Sequence, residues 1–205
     1  MKVIFVRHGE STGNAGVPSF DLSKLELTPL GHEQAAGVAA GWQSAPTLIA
    51  LSPYLRTHLT AQPTIDRFPA VPVEILPMEE FTYLEPSRWN GTSRTERLPH
   101  IERYWQGADP VYRDGPGAES FDTLLERVDR TLTWFQQLPA DALVYAFSHG
   151  QFMQAVRVTL LNPGWTSQRK MAHFWPFNAK RPIQNVDLLG ASYSNTRWTE
   201  VDPWG

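Results

Sequence analysis

Val3-Ile4-Phe5-Val6-Arg7-His8-Gly9-Glu10-Ser11 opens the chain with four apolar residues that run straight into a charged, glycine-bearing turn. An apolar run without polar alternation is the pattern of a strand covered on both faces by helices. Leu143-Val144-Tyr145-Ala146-Phe147 repeats it and runs into Ser148-His149-Gly150. Residues 47–51 form a third such run, followed by Ser52-Pro53-Tyr54-Leu55-Arg56. Residues 71–76 are a fourth, interrupted by Pro72 and Glu74, and lead to Met78-Glu79-Glu80. Residues 186–189 and 196–201 predict a hairpin at one edge.

Helical signals lie between the strands. Thr28-Pro29 is a cap followed by proline at the first helical position, and Leu30, Val38 and Trp42 then share a face. Ser52-Pro53 repeats that signal, and Pro63 should end or bend the helix that follows. Residues 121–138 carry the clearest apolar stripe, with Ser120 as cap. A last helix is expected over 151–161, stopped by Asn162-Pro163-Gly164. Strands alternating with helices predict an α/β fold, a three-layer sandwich with a mostly parallel central sheet flanked by helices. Residues 81–118, rich in Pro, Gly, Arg and aromatics, break the rhythm and read as a lid-like insertion.

The 205 residues fit one domain, 1–205, since single domains commonly span about 150–250 residues. Eight tryptophans and a net charge of −3 exclude a disordered acidic chain and argue against a nucleic-acid partner. Zero cysteines exclude disulfides, thiolate zinc sites and a cysteine nucleophile, and fit a reducing, cytoplasmic setting. No apolar run approaches the roughly 20 residues of a membrane span, so no membrane partner is expected. The histidines lack metal-ligand spacing, so no metal or cofactor is expected either. A dimer through an edge strand is left open.

Ligands of open α/β sheets bind at the carboxyl ends of the strands. If the four strands are parallel neighbours, His8, His149, Arg7, Arg56 and a carboxylate converge there as a cationic pocket with an acid at its rim. Phosphoryl transfer suits that set best. Arginine's planar fork matches phosphate oxygens, an unprotonated imidazole can attack phosphorus, and a carboxylic acid can protonate the leaving alkoxide. Cationic side chains would supply the electrostatic work otherwise done by a metal.

Arg7-His8-Gly9-Glu10-Ser11, with Asn14 three residues on, resembles the signature of the histidine phosphatase superfamily, which includes the cofactor-dependent phosphoglycerate mutases. The resemblance extends through Ser52-Pro53-Tyr54-Leu55-Arg56-Thr57 with Thr60-Ala61, and through Phe147-Ser148-His149-Gly150. It implies that His8 is the phosphorylated nucleophile, with Arg7, Arg56 and His149 binding the phosphoryl group and Asn14 and Gly150 beside it. The family's Leu-x-Glu becomes Met78-Glu79-Glu80 here, and its Gly-x-Trp-Glu-Gly is replaced by Glu85-Pro86-Ser87-Arg88-Trp89-Asn90-Gly91. The acid is therefore open among Glu79, Glu80 and Glu85. Glu80 is preferred for its place in the pattern and for Phe81, which would shield it from water.

The implied activity is a phosphomonoesterase acting through a phosphohistidine on a small phosphate ester. A mutase-type transfer and a catalytically inactive phosphate-binding module are the alternatives. Two segments remain. The insertion carries Arg88, Arg94, Arg97, Arg103 and Arg113, which either read the substrate or pair with Glu96, Glu102 and Asp109. Residues 163–182 hold Arg169, Lys170, Lys180, Arg181, Trp165, Phe174, Trp175 and Phe177, without an acid. They read as a partly buried connector, or else as a second pocket wall favouring an anionic or aromatic substrate tail.

Overall fold

A computed structural model describes residues 1–18 and 20–204, with the side chain of Arg94 outside the described set. Strands β1 (Lys2–Arg7), β2 (Leu48–Leu51), β3 (Val73–Ile75), β4 (Leu143–Ser148), β5 (Leu188–Ser194) and β6 (Arg197–Val201) form one sheet in the order β3-β2-β4-β1-β5-β6. The first four are parallel neighbours, as the site requires, and the β5–β6 hairpin closes one edge antiparallel. Asn195 and Thr196 at its turn both have positive φ (50° and 61°), the combination a two-residue type I′ turn demands.

Both faces are covered, which explains the unalternated runs. Val3, Phe5, Val144 and Ala146 enter one core with helices α5 (Phe121–Phe135), α6 (Gly150–Leu161) and α7 (Ser167–Lys180). Ile4, Val6, Ile49 and Phe147 enter the other with Ala61 of α2 (Leu55–Arg67) and Trp42, which ends α1 (Pro29–Gly41). Trp42 stacks on Tyr145 at 3.7 Å and donates its indole N–H to Thr64, so its burial leaves no polar group stranded.

Thr28 caps α1 as expected, but Leu30 is 48% exposed. The inward face is instead Gly31, Ala35 and Ala39, small residues that bring the helix backbone close. Ser52 does not cap α2: Tyr54 stands at the N-cap, and the Ser52 hydroxyl is used elsewhere. Pro63 lies inside α2 without ending it.

Residues 163–182 are not a connector; Thr166 caps helix α7 there, and Lys170 is buried rather than solvated. Residues 81–118 hold α3 (Pro86–Trp89) and α4 (Arg94–Gly107), the latter opened by a Ser93–Glu96 capping box. The inner side of this insertion enters the core through Phe81, Ile101, Tyr104 and Trp105. Trp105 stacks on both Phe174 (5.1 Å) and Trp175 (5.2 Å), tying α4 to α7. Glu96 serves the capping box, and Asp109 accepts the Val111 N–H. Among the described residues, no helix is long and apolar enough to cross a membrane.

Candidate active site

The strand ends bring the site together through backbone register. Arg7 pairs with Ser148 at the last rung of β1–β4, and Leu51 with Phe147 on β2–β4. Two further bonds carry that register past the strands, His8 N–H to Ser148 O (3.0 Å) and Ser52 N–H to Phe147 O (3.0 Å). His8, Ser52 and His149 therefore emerge side by side. The loop after β1 is pressed against α1. A Cβ on Gly9 would lie 2.6 Å from the Gly31 carbonyl oxygen, and one on Gly31 would enter the Glu10 carbonyl. Gly31→Ala should cost about 1–3 kcal/mol, because the obstacle is backbone. Chemical denaturation checks this; an unchanged midpoint would mean the two segments are not packed this way.

One guanidinium fixes both imidazoles. Arg56 Nε–H donates to His8 Nε2 (3.0 Å), and Nη2–H to His149 Nδ1 (2.9 Å). Arginine only donates, so both accepting nitrogens are unprotonated. His8 therefore carries its proton on Nδ1, given to the Gly9 carbonyl (2.7 Å), and presents Nε2 as a lone pair. His149 carries its proton on Nε2, given to Ser52 Oγ (2.8 Å). Burial, then the charges of Arg56 and Arg7, hold His8 well below the usual imidazole pKa, while its bond to Gly9 opposes them. Burial and then Arg56 do the same to His149. Burial also lowers Arg56 itself, to about 10, with Glu80 opposing the fall. It stays charged at neutral pH.

Arg56 is further anchored by the Leu22 carbonyl (2.6 Å) and lies over the Tyr54 ring (4.9 Å). Arg7 donates Nη1–H to the Ile183 carbonyl (2.6 Å), and its Nε is buried with no hydrogen-bond partner among the described residues. Gly150 packs closely beside it: a Cβ there would stand 3.3 Å from that Nε. Arg7, His8, Asn14, Arg56, Glu80 and Gly150 all line one cleft of about 530 Å³. His149 does not: it is fully buried behind Arg56. The Asn14 carboxamide oxygen serves the Ser11 turn (3.1 and 3.0 Å) and accepts from Asn185 (3.2 Å).

The three carboxylates separate. Glu79 faces Arg127 (3.3 Å), which also holds Glu119 (2.6 Å), and it lines a smaller neighbouring cavity. Glu85 is buried and accepts from Gly117 N–H (2.6 Å) and Ser87 Oγ (2.9 Å); the Gly117 bond lowers its pKa, the wrong direction for an acid. Glu80 alone of the three lines the cleft. Its Oε1 accepts from the N–H groups of Phe81 (3.0 Å) and Gln151 (3.0 Å) in the first turn of α6. The expected shield is absent: the Phe81 ring packs with Tyr83, Tyr104, Trp105 and Phe121, and Glu80 stays half-buried. Among the described residues, no group of three or more His, Asp or Glu is placed to hold a metal ion.

Several participants have no individual signal in the sequence. Asn185 bridges the His8 carbonyl (2.9 Å) to Asn14, and Ser148 Oγ ties the Met78 carbonyl to β4 (2.8 Å). Ser148, Ser52 and Thr60 lie inside quoted motifs, yet their partners, Met78, His149 and Gly9, appear only in three dimensions.

Solved structures share this arrangement of elements. A putative α-ribazole-5′-phosphate phosphatase from Escherichia coli is 18% identical, with a TM-score of 0.75 over 98% of this chain and 94% of that one. Phosphoserine phosphatase from Entamoeba histolytica, bound to 3-phosphoglyceric acid, is 22% identical with a TM-score of 0.76 over 98% and 95%. A mycobacterial glucosyl-3-phosphoglycerate phosphatase in complex with VO3 is 22% identical with a TM-score of 0.75 over 98% and 96%. No sequence among the curated proteins matches the chain. The family model for the histidine phosphatase superfamily (branch 1) matches residues 3–183, from the first strand of the sheet to the carbonyl that holds Arg7. With that match spanning the strand-end histidines and both arginines, the chain belongs to branch 1 of the histidine phosphatase superfamily.

Proposed function

We propose that the protein is a metal-independent phosphomonoesterase that works through a phosphohistidine on His8. The observation that carries this is the hydrogen bonding of His8: Nδ1 lies 2.7 Å from the Gly9 carbonyl and Nε2 accepts from Arg56, which makes Nε2 the unprotonated nitrogen and the nucleophile. A substrate phosphoryl group entering the cleft would take over the Arg56 N–H now resting on His8 and meet the guanidinium of Arg7, which lines the same cleft. His8 Nε2 then attacks phosphorus as the P–O bond to the alcohol breaks, and Glu80 gives its proton to the departing oxygen. The Phe81 and Gln151 N–H groups engage Oε1, so the transferable proton belongs on Oε2. Water, deprotonated by Glu80, returns phosphate and free His8. Gly150 gives room to Arg7, and Asn14 stands beside the pocket.

Phosphatase, rather than mutase, is supported by the phosphatases among the similar structures and by the half-exposed Glu80, which water can reach. The test is a panel of phosphate esters assayed with and without chelator. Hydrolysis indifferent to chelation is expected; strict magnesium or zinc dependence would overturn the reading.

Arg56→Ala should cost about 2.7–4 kcal/mol of transition-state stabilisation, the loss seen when a preorganised donor is removed. His149, buried behind Arg56, acts by holding it. The double variant Arg56→Ala/His149→Ala should therefore be little worse than Arg56→Ala alone. Additive losses in kcat/KM would assign His149 an independent contact with the phosphoryl group.

A further inference from the structure

Beyond the phosphoryl subsite, the cleft wall includes Tyr83, Leu84, Trp89, Ile101 and Trp175 alongside uncharged polar side chains such as Asn178 and Gln184. Trp175 is stacked on Trp105, and Trp105 on Phe174, so its ring is held in place before any substrate arrives. Such preorganisation strengthens binding because little side-chain freedom is lost. Charge is scarce here. Arg97 is the one cation among the described residues on this wall, and its Nη1 already donates to Thr92 O (2.7 Å) and Oγ1 (3.3 Å). The cations of α7 and its C-cap do not line the cleft: Arg169 lies over Trp165 (4.1 Å), Arg181 over Phe177 (5.7 Å), and Lys170 is buried.

Resting on the phosphatase reading above, we infer that this wall selects phosphomonoesters whose alcohol is uncharged and carries a flat ring, with Trp175 as the stacking surface, over esters whose alcohol carries a carboxylate. An aromatic ring gains apolar burial and an offset-stacked partner. A carboxylate entering the same space loses water and meets a single cation among the described residues, Arg97, whose Nη1 is already engaged by Thr92, which turns the wall against it.

The test compares three primary-alkyl esters, so that leaving-group chemistry is matched: 2-(2-naphthyl)ethyl phosphate, ethyl phosphate and 3-phosphoglycerate. The naphthyl ester should exceed ethyl phosphate in kcat/KM by roughly 50-fold, the effect of about 100 Å² of apolar area leaving water. 3-Phosphoglycerate should do no better than ethyl phosphate. Trp175→Leu should shrink the naphthyl-to-ethyl ratio roughly tenfold, about one stacking contact plus its lost area, and Trp175→Phe should keep most of it. A purely structural role would lower both substrates alike and leave the ratio alone. A preference for 3-phosphoglycerate, or a ratio unmoved by Trp175→Leu, would overturn the inference while the phosphatase reading stands. Should Trp175→Leu not fold, the wild-type panel still decides. Failure to turn over any ester would remove the phosphatase reading, and this inference with it.

Discussion

His8→Ala should lower kcat by four or more orders of magnitude, on the order of the roughly 10⁶-fold loss that follows removal of a protease nucleophile. The size follows from the geometry. No other unprotonated nitrogen among the described residues faces the arginine donors from inside the cleft, because His149 is buried and bonded on both ring nitrogens. The pH profile carries the same signature. Burial and the two arginines hold the His8 pKa below 6.5. Protonation of Nε2 removes the lone pair, so activity is present above that depressed pKa and lost as pH falls through it. The acid limb of kcat/KM due to His8 should therefore lie below pH 6.5. Full activity in His8→Ala would end the account, and a His8-dependent limb at or above 6.5 would contradict the buried, cation-flanked imidazole.

Glu80→Gln should slow alkyl phosphates by about 10²–10⁴-fold, the usual contribution of a general acid. Aryl phosphates, whose leaving groups need little protonation, should keep most of their phosphorylation rate. Gln preserves the Oε1 acceptor for Phe81 and Gln151, so the change isolates the proton. Glu85→Gln should act differently. It weakens the Gly117 and Ser87 contacts that fix the start of α3, and its effect should appear in stability and fall on both ester types alike. If the selective loss belongs to Glu85→Gln instead, the acid is misassigned and the insertion must move to deliver it.

The strands and most helices were legible because their signals are local. Val3–Val6 and Leu143–Phe147 lack polar alternation since each alternate residue meets a different core, and Ser120 announces α5 one residue ahead. Strand ends then placed His8, Arg7, Arg56 and Glu80 around one cleft. What stayed hidden depends on pairs distant in sequence. Ser52 reads as a helix cap by its Ser-Pro dipeptide, yet its hydroxyl is claimed by His149, 97 residues away. Leu30 reads as an inward residue by spacing, but backbone contact between Gly31 and the Glu10 carbonyl sets the helix face. The α7 segment hides its helix because Pro176 and the surrounding aromatics obscure the period, and only stacking on Trp105 shows where Trp175 belongs. The Phe81 shield failed because that ring found better partners in the core than the site.

The proposed reaction turns on a covalent bond between phosphorus and His8 Nε2. Glu80→Gln with a ³²P-labelled aryl phosphate tests it most directly, because phosphorylation proceeds without an acid while hydrolysis of the intermediate loses its base. The reaction is quenched in alkali, and the labelled protein is digested and its peptides sequenced. Near-stoichiometric, base-stable and acid-labile label is expected on the peptide carrying His8, and none in Glu80→Gln/His8→Ala. Label on the peptide carrying His149, or a base-labile ester on a hydroxyl, would contradict it.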